Sequence, residues 1–181
     1  MENFKIRNIK DLISIKEIKL SEENKRVCVL GQGFVGLPLA LSFAFRGCET
    51  IGFDVDENLV NNINNGTTHH IEKFDGITIQ EILNEELKEN RYKATTDGTL
   101  AVRECNNMIV TVGIAIKDGK CIMNYLESAC VTIGKNLKKE DLVVIRSTVI
   151  PGITEEFVLP ILERESGMKA GEDFYLAYSS E

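Results

Sequence analysis

The sequence predicts an α/β protein: a doubly wound parallel sheet with helices packed on both faces. Three observations predict it. Short apolar runs without polar alternation, such as Arg26-Val27-Cys28-Val29-Leu30, recur along the chain, as they do in strands buried on both faces. Between them lie longer stretches with apolar residues three and four apart, the period of a helix. The chain has 181 residues, 43% of them hydrophobic, enough for one domain with a real core and a short arm.

Taken in order, residues 1–25 interleave Lys and Glu with Ile9, Leu12, Ile13, Ile15, Ile18 and Leu20. That spacing suits a charged amphipathic arm that packs on the domain or on a partner. The domain proper is expected over 26–181. Its first strand, Arg26 to Leu30, runs into glycine, and an apolar helix follows from Val35 to Phe45, closed by Gly47. Pro38 falls in the first turn, where a missing amide donor does little harm. A second strand at Thr50–Phe53 leads to a helix at Glu57–Asn65 that stops at Gly66. His69 to Gly76 reads as a loop whose polar residues His69, His70, Glu72 and Asp75 are expected at the surface.

A polar-faced helix at Ile79–Glu89 precedes a short strand at Tyr92–Thr95 and a helical turn at Leu100–Cys105. Met108 to Val112 is the fourth strand. Lys117-Asp118-Gly119-Lys120 is turn chemistry, and Met123–Leu137 is a long helix. Leu142–Ile145 is the fifth strand, Pro151-Gly152 turns into a helix at Thr154–Glu165, and Phe174–Tyr178 is the last of about six strands.

Composition excludes several classes. With 21 basic and 28 acidic residues the net charge is −7, so a nucleic-acid-coating role has no electrostatic support. No run approaches the ~18–20 apolar residues of a membrane span, and the Lys- and Glu-laced N-terminus lacks a signal-peptide apolar region. A cytoplasmic protein is expected. The five cysteines, Cys28, Cys48, Cys105, Cys121 and Cys130, form no CxxC pair and read as buried reduced thiols. No metal site is expected, because His69 and His70 lie far from any cysteine pair.

Gly31-Gln32-Gly33-Phe34-Val35-Gly36 is a G-x-G-x-x-G between a buried strand and a helix, the context in which that motif binds a dinucleotide. Gly31 would allow the tight turn, Gly33 the approach of a pyrophosphate to the backbone, and Gly36 the close packing of helix on strand. A helix N-terminus offers free N–H groups and partial positive charge, so an acidic protein can still hold an anion there. Asp54 ends the second strand, about 20 residues beyond the glycines, where a carboxylate accepts both ribose hydroxyls and repels a 2′-phosphate. NAD is therefore expected over NADP, with Asp56 rather than Asp54 as the helix cap. Val112 and the segment Arg146 to Gly152 sit where the fourth and fifth strands end, the ligand-binding face of open α/β sheets. There Ser147 and Thr148 read equally as cofactor contacts or as ordinary strand-end hydrogen bonders. Glu181 closes the chain at the end of the sixth strand.

With these segments in place, the chain resembles the NAD-binding domain of the UDP-glucose/GDP-mannose dehydrogenase family, a Rossmann-like fold. The matching runs are Val29 to Ala40, Gly52-Phe53-Asp54-Val55-Asp56, Ile63-Asn64-Asn65-Gly66 with Ile71-Glu72, and Ser147-Thr148-Val149-Ile150-Pro151-Gly152-Ile153-Thr154. Members that oxidise UDP-N-acetylmannosamine or related N-acetylated sugars look most similar. The resemblance implies a nucleotide-sugar 6-dehydrogenase that converts a C6 hydroxymethyl to a carboxylate with two NAD, feeding surface polysaccharide synthesis. It implies that Gly31, Gln32, Gly33, Phe34, Val35 and Gly36 cradle the pyrophosphate and that Asp54 holds the adenosine ribose. Val112, Ser147, Thr148 and Val149 would line the nicotinamide side, Thr148 would help position a water, and Glu181 would serve acid–base chemistry. The implied partners are a nucleotide-sugar substrate and, as an open option, further copies of the chain.

The departures are specific. The family's V-x-T-P reads Val112-Gly113-Ile114-Ala115, the proline before its glutamate is Ser180, and Leu59 stands where some members carry an arginine. None of the five cysteines matches the family's nucleophile, which the resemblance places, with its lysine and asparagine, beyond Glu181. This chain alone is thus expected to bind NAD without completing turnover. The competing reading is a decayed dinucleotide-binding module that regulates or pairs with a full-length enzyme, and a third is another dehydrogenase family sharing only the front half.

Overall fold

The computed structural model describes residues 26–74, 76–113, 115–117, 120–147, 149 and 151–179. The expected arm at 1–25, and with it Asp75, Ile114, Thr148 and Glu181, lies outside the described residues. Six strands form one sheet: β1 (Arg26–Leu30), β2 (Glu49–Phe53), β5 (Tyr92–Thr95), β6 (Asn107–Val110), β9 (Leu142–Ile145) and β10 (Tyr175–Tyr178). Their spatial order is β10-β9-β6-β1-β2-β5, and every pairing is parallel. The chain thus winds outward from β1 through β2 to β5, crosses back beside β1 as β6, and winds outward on the other side. Strand order reverses between β1 and β6, the topological switch point at which such sheets bind ligands.

The unbroken apolar run of β1 has a direct cause. Successive side chains point to opposite faces of a strand, and both faces here are covered. Cys28 and Leu30 enter one core with Met108, Leu126, Ile133 and Leu162; Val27 and Val29 enter the other with Leu37, Leu41, Ile63 and Leu83. The helices α1 (Gly36–Phe45), α2 (Glu57–Asn64), α3 (Ile79–Lys88), α4 (Gly98–Glu104), α5 (Asn124–Asn136) and α6 (Leu159–Ser166) fill the crossovers. In α1 the buried residues Leu37, Ala40, Leu41 and Ala44 form one stripe. Asp56 caps α2, its Oδ1 accepting from Asn58 and Leu59 N–H, and Thr78 with Glu81 forms a capping box on α3.

Three segments depart from the expectations. The fourth strand ends at Val110 rather than Val112, and Thr111 after it sends both its N–H and its hydroxyl to the Leu30 carbonyl at the end of β1. The loop before α3 contains a small hairpin, β3 (Lys73–Phe74) against β4 (Ile77–Thr78), and His70 within that loop is buried, not at the surface. The helix expected over Thr154–Glu165 starts as a π-helical turn, Thr154–Val158, before α6. Pro160 explains this: it has no N–H, and its ring would meet the carbonyl four residues back, so the preceding Leu159 N–H reaches Thr154 instead. β7 (Ala115–Lys117) and β8 (Lys120–Ile122) form an antiparallel pair; Asp118 and Gly119 of the turn predicted at Lys117–Lys120 lie outside the described residues.

Cys28, Cys105 and Cys130 are buried free thiols, and Cys48 is buried too. Burial holds the Cys28 thiol well above its usual range and pushes those of Cys105 and Cys130 up to about 12. They are packing residues, not nucleophiles. Among the described residues no helix is long and apolar enough to cross a membrane.

Candidate dinucleotide-binding site

The C-terminal ends of β1, β2 and β6 open onto a crevice of about 360 Å³, lined among others by Gly31, Gly33, Asp54, Thr111, Val112 and Tyr125. Its floor is the glycine turn. Gly31 has φ +95°, the left-handed region that favours glycine, and donates its N–H to Phe53 C=O at 2.8 Å. A Cβ on Gly36 would run into the Gly31 carbonyl and lie 2.7 Å from Thr111 Oγ1; here helix and strand meet as the sequence predicts. At Gly33 the reverse holds, since an added Cβ meets nothing within 4 Å. The space above Gly33 is open to a ligand. The first bonds into α1 run from Leu37 N–H to Gly33 C=O and from Leu39 N–H to Val35 C=O, so the turn's own N–H groups have no helical acceptor.

Asp54 stands across this turn. Its Oδ2 accepts Gln32 N–H at 2.7 Å and its Oδ1 accepts Asp56 N–H at 3.0 Å. Each oxygen keeps a second lone pair, and the two bonds fix the plane of the carboxylate at the lip of the crevice. No Lys or Arg is among the residues that line it. The residues therefore fit a dinucleotide: open N–H groups and a glycine without obstruction for the pyrophosphate, and an oriented carboxylate for a ribose diol.

The predicted residues do not all meet here. Gln32 contributes from below: its side chain is fully buried, donates to Val29 C=O at 2.8 Å and accepts from Tyr92 Oη at 2.7 Å. Burial, then the negative charge of Asp54, hold the Tyr92 phenol far above its usual range, so it stays a neutral donor. A Cβ on Gly52 would collide with both Gln32 Oε1 and Tyr92 Oη. Phe34 and Val35 expose their side chains at the turn, and Val112 lines the crevice. The Ser147 hydroxyl is buried and donates to Val112 C=O at 2.7 Å, fixing the crevice wall. Val149 packs partly on the core and lines a separate depression with Pro151, Gly152 and Tyr178. Thr148 and Glu181 lie outside the described residues.

Thr111 is the residue that sequence reasoning missed. Its Oγ1 lies 2.9 Å from both the Leu30 and Gly31 carbonyls, tying β6 to the start of the glycine turn. Tyr125 and Ser128 of α5, also missed, line the crevice. A signal for the buried Gln32–Tyr92 pair was present in Gly52, because a glycine inside a strand often marks a close approach.

Comparison with known proteins agrees with this geometry. Residues 25–181 match the model of the UDP-glucose/GDP-mannose dehydrogenase family, NAD binding domain. The chain belongs to that family. It is 38% identical over 157 residues to UDP-N-acetyl-D-glucosamine 6-dehydrogenase of Salmonella typhi, covering 86% of this chain and 35% of that protein. It is 34% identical over 156 residues to UDP-N-acetyl-D-mannosamine dehydrogenase of Pyrococcus horikoshii, covering 86% and 36%. Among solved structures, the GDP-mannose dehydrogenase of Pseudomonas aeruginosa superposes with a TM-score of 0.80 at 32% identity, over 86% of this chain and 36% of that one. The chain thus spans about a third of the length of the curated relatives it matches. It is the NAD-binding domain of a nucleotide-sugar dehydrogenase family, its cofactor is NAD, and its fold is that family's Rossmann-like sheet.

Proposed function

We propose that this chain supplies the NAD site of a nucleotide-sugar 6-dehydrogenase that oxidises the C6 hydroxymethyl of a UDP- or GDP-sugar to a carboxylate, for surface polysaccharide synthesis. The observation that carries the reading is the Asp54 carboxylate, held by two backbone N–H groups opposite an unobstructed glycine turn. Bound NAD would accept a hydride from the sugar in each of two oxidations. The chain's residues bind and orient. The N–H groups of Gly33 to Gly36 take the pyrophosphate, Asp54 takes both adenosine ribose hydroxyls, and Val55 and Tyr125 offer exposed apolar surface beside them. Ser147 holds the Val112 wall in place. Val149 and the Thr148 hydroxyl are assigned to the nicotinamide side, and Glu181 to acid–base chemistry, as the family resemblance implies.

Two tests bear on this. Titration of the chain with NAD, followed by backbone amide resonances, should move Gly31–Gly36 and Asp54 most; unmoved glycine resonances would contradict the site. The enzyme carrying this domain should yield two NADH per nucleotide sugar consumed. A yield of one would mean that oxidation stops at the aldehyde.

A further inference from the structure

The loop between α2 and β3 carries a feature that cofactor binding as described does not use. The His70 side chain is fully buried, with Nδ1 3.2 Å from Glu72 Oε2, and its Nε2 is buried with no hydrogen-bond partner. His69 stacks on it, ring centroids 4.5 Å apart and planes 27° from parallel. Phe34 of the glycine turn meets both rings edge-on, at 5.1 Å and 5.8 Å, while remaining 76% exposed. The imidazole pair therefore packs against a residue inside the glycine turn, the segment to which we assign the pyrophosphate.

Charge makes this contact consequential. Among the described residues no cationic side chain lines the crevice, and Asp54 adds a negative one at its lip. An incoming pyrophosphate brings two more negative charges to the turn, one aromatic ring away from the only titratable pair that can become positive near neutral pH. Glu72 is the one charged side chain among the described residues that pairs with either ring. Hydrogen bonds from its own backbone and then from His70 hold its carboxyl below the usual range, so it stays an anion beneath the pair. Of the elements packed nearby, α3 presents the neutral Gln80, whose Oε1 accepts Thr68 N–H at 3.2 Å. Lys73 faces Glu81, and Arg46 lies over the Phe74 ring.

We infer that the stacked His69–His70 pair is a proton-linked support of the phosphate-binding turn, taking up a proton when the dinucleotide binds. The inference rests on the glycine crevice being the NAD site. Its sign follows from linkage: the bound pyrophosphate stabilises an imidazolium, the complex binds more protons than the free protein, and affinity therefore rises as pH falls. Two positive rings this close would repel, so the pair takes one proton, not two. At this separation in solvent the coupling is modest, roughly three- to tenfold in affinity between pH 8 and pH 6.

The test is calorimetric titration of the chain with NAD at pH 6, 7 and 8, each in two buffers of different ionisation enthalpy. The expected result is net proton uptake on binding and a three- to tenfold gain in affinity at pH 6. His69→Gln, at an exposed position, and His70→Gln should flatten that slope whatever their absolute affinities. Because His70 is buried and its variant could unfold, the wild-type proton count stands as an independent readout. Binding without proton uptake, or a slope that survives in both variants, overturns the inference. Absence of NAD binding at every pH overturns the cofactor reading of the crevice, and this inference falls with it.

Discussion

The two sides of the switch point are fixed to different degrees. On the β1–β2 side the polar side chains around the glycine turn, and the Leu30 and Gly31 carbonyls beneath it, are each held by a second protein group, while the N–H groups of the turn are left open to a ligand. Asp54 is held by two backbone amides, Gln32 by Val29 and Tyr92, and the Leu30 and Gly31 carbonyls by Thr111. On the β9–β10 side the ties among the described residues are of another kind. Ser147 reaches Val112 and Arg146 Nη1 reaches Ser179 Oγ at 3.1 Å, but Arg146 Nε is buried without a partner. Tyr175 and Tyr178 of the edge strand are about half exposed. The side to which we assign the adenosine is thus preorganised by its own hydrogen bonds, so that binding there should cost little reordering. Thr148 and Glu181, to which we assign the chemistry, lie outside the described residues.

The largest effect should come from Gly36→Val. Its Cβ would enter the Gly31 carbonyl, backbone that cannot swing away, so urea unfolding should show a loss of roughly 3 kcal/mol or more. Gly33→Val should separate binding from folding. With open space around that position, the unfolding midpoint should barely move, whereas NAD affinity in a calorimetric titration should fall at least about 100-fold as the new side chain fills the pyrophosphate's place.

Asp54→Ala comes next. Removing a charged acceptor of two ribose hydroxyls should weaken NAD by about 10- to 100-fold. NADP affinity should hold or rise, since the carboxylate that repels its 2′-phosphate is gone; unchanged selectivity would sink the assignment. Smaller still is Tyr92→Phe, which strips the buried Gln32 Oε1 of its donor. About 1–2 kcal/mol of stability should be lost in denaturant titration, with NAD affinity falling only a few-fold because Asp54 keeps its amide partners.

Much of the first side was legible in the sequence because its logic is local. A buried strand, three glycines at fixed spacing and an acid at the end of the next strand carry their meaning within about 25 residues. The six strands of the main sheet and nearly every helix followed from apolar patterning and glycine or proline punctuation. What could not be read depended on residues far apart in the chain. Thr111 is 80 residues from the Gly31 carbonyl it holds, and Tyr92 is 60 from Gln32. Ser147 presented equally as a cofactor contact or a strand-end hydrogen bonder, and only the position of Val112 C=O shows where its proton goes. His70 looked like a surface polar residue; packing beneath Phe34 is a tertiary fact that no spacing rule encodes.

We assign the β1–β2 side as a preformed site for NAD in which Asp54 sets the choice of dinucleotide. Calorimetric titration of the 181-residue chain with NAD and, separately, NADP tests it most directly. The account predicts that NAD binds and that NADP binds at least about tenfold more weakly, because its 2′-phosphate would meet a fixed carboxylate. Equal affinity for the two, or a preference for NADP, would contradict it.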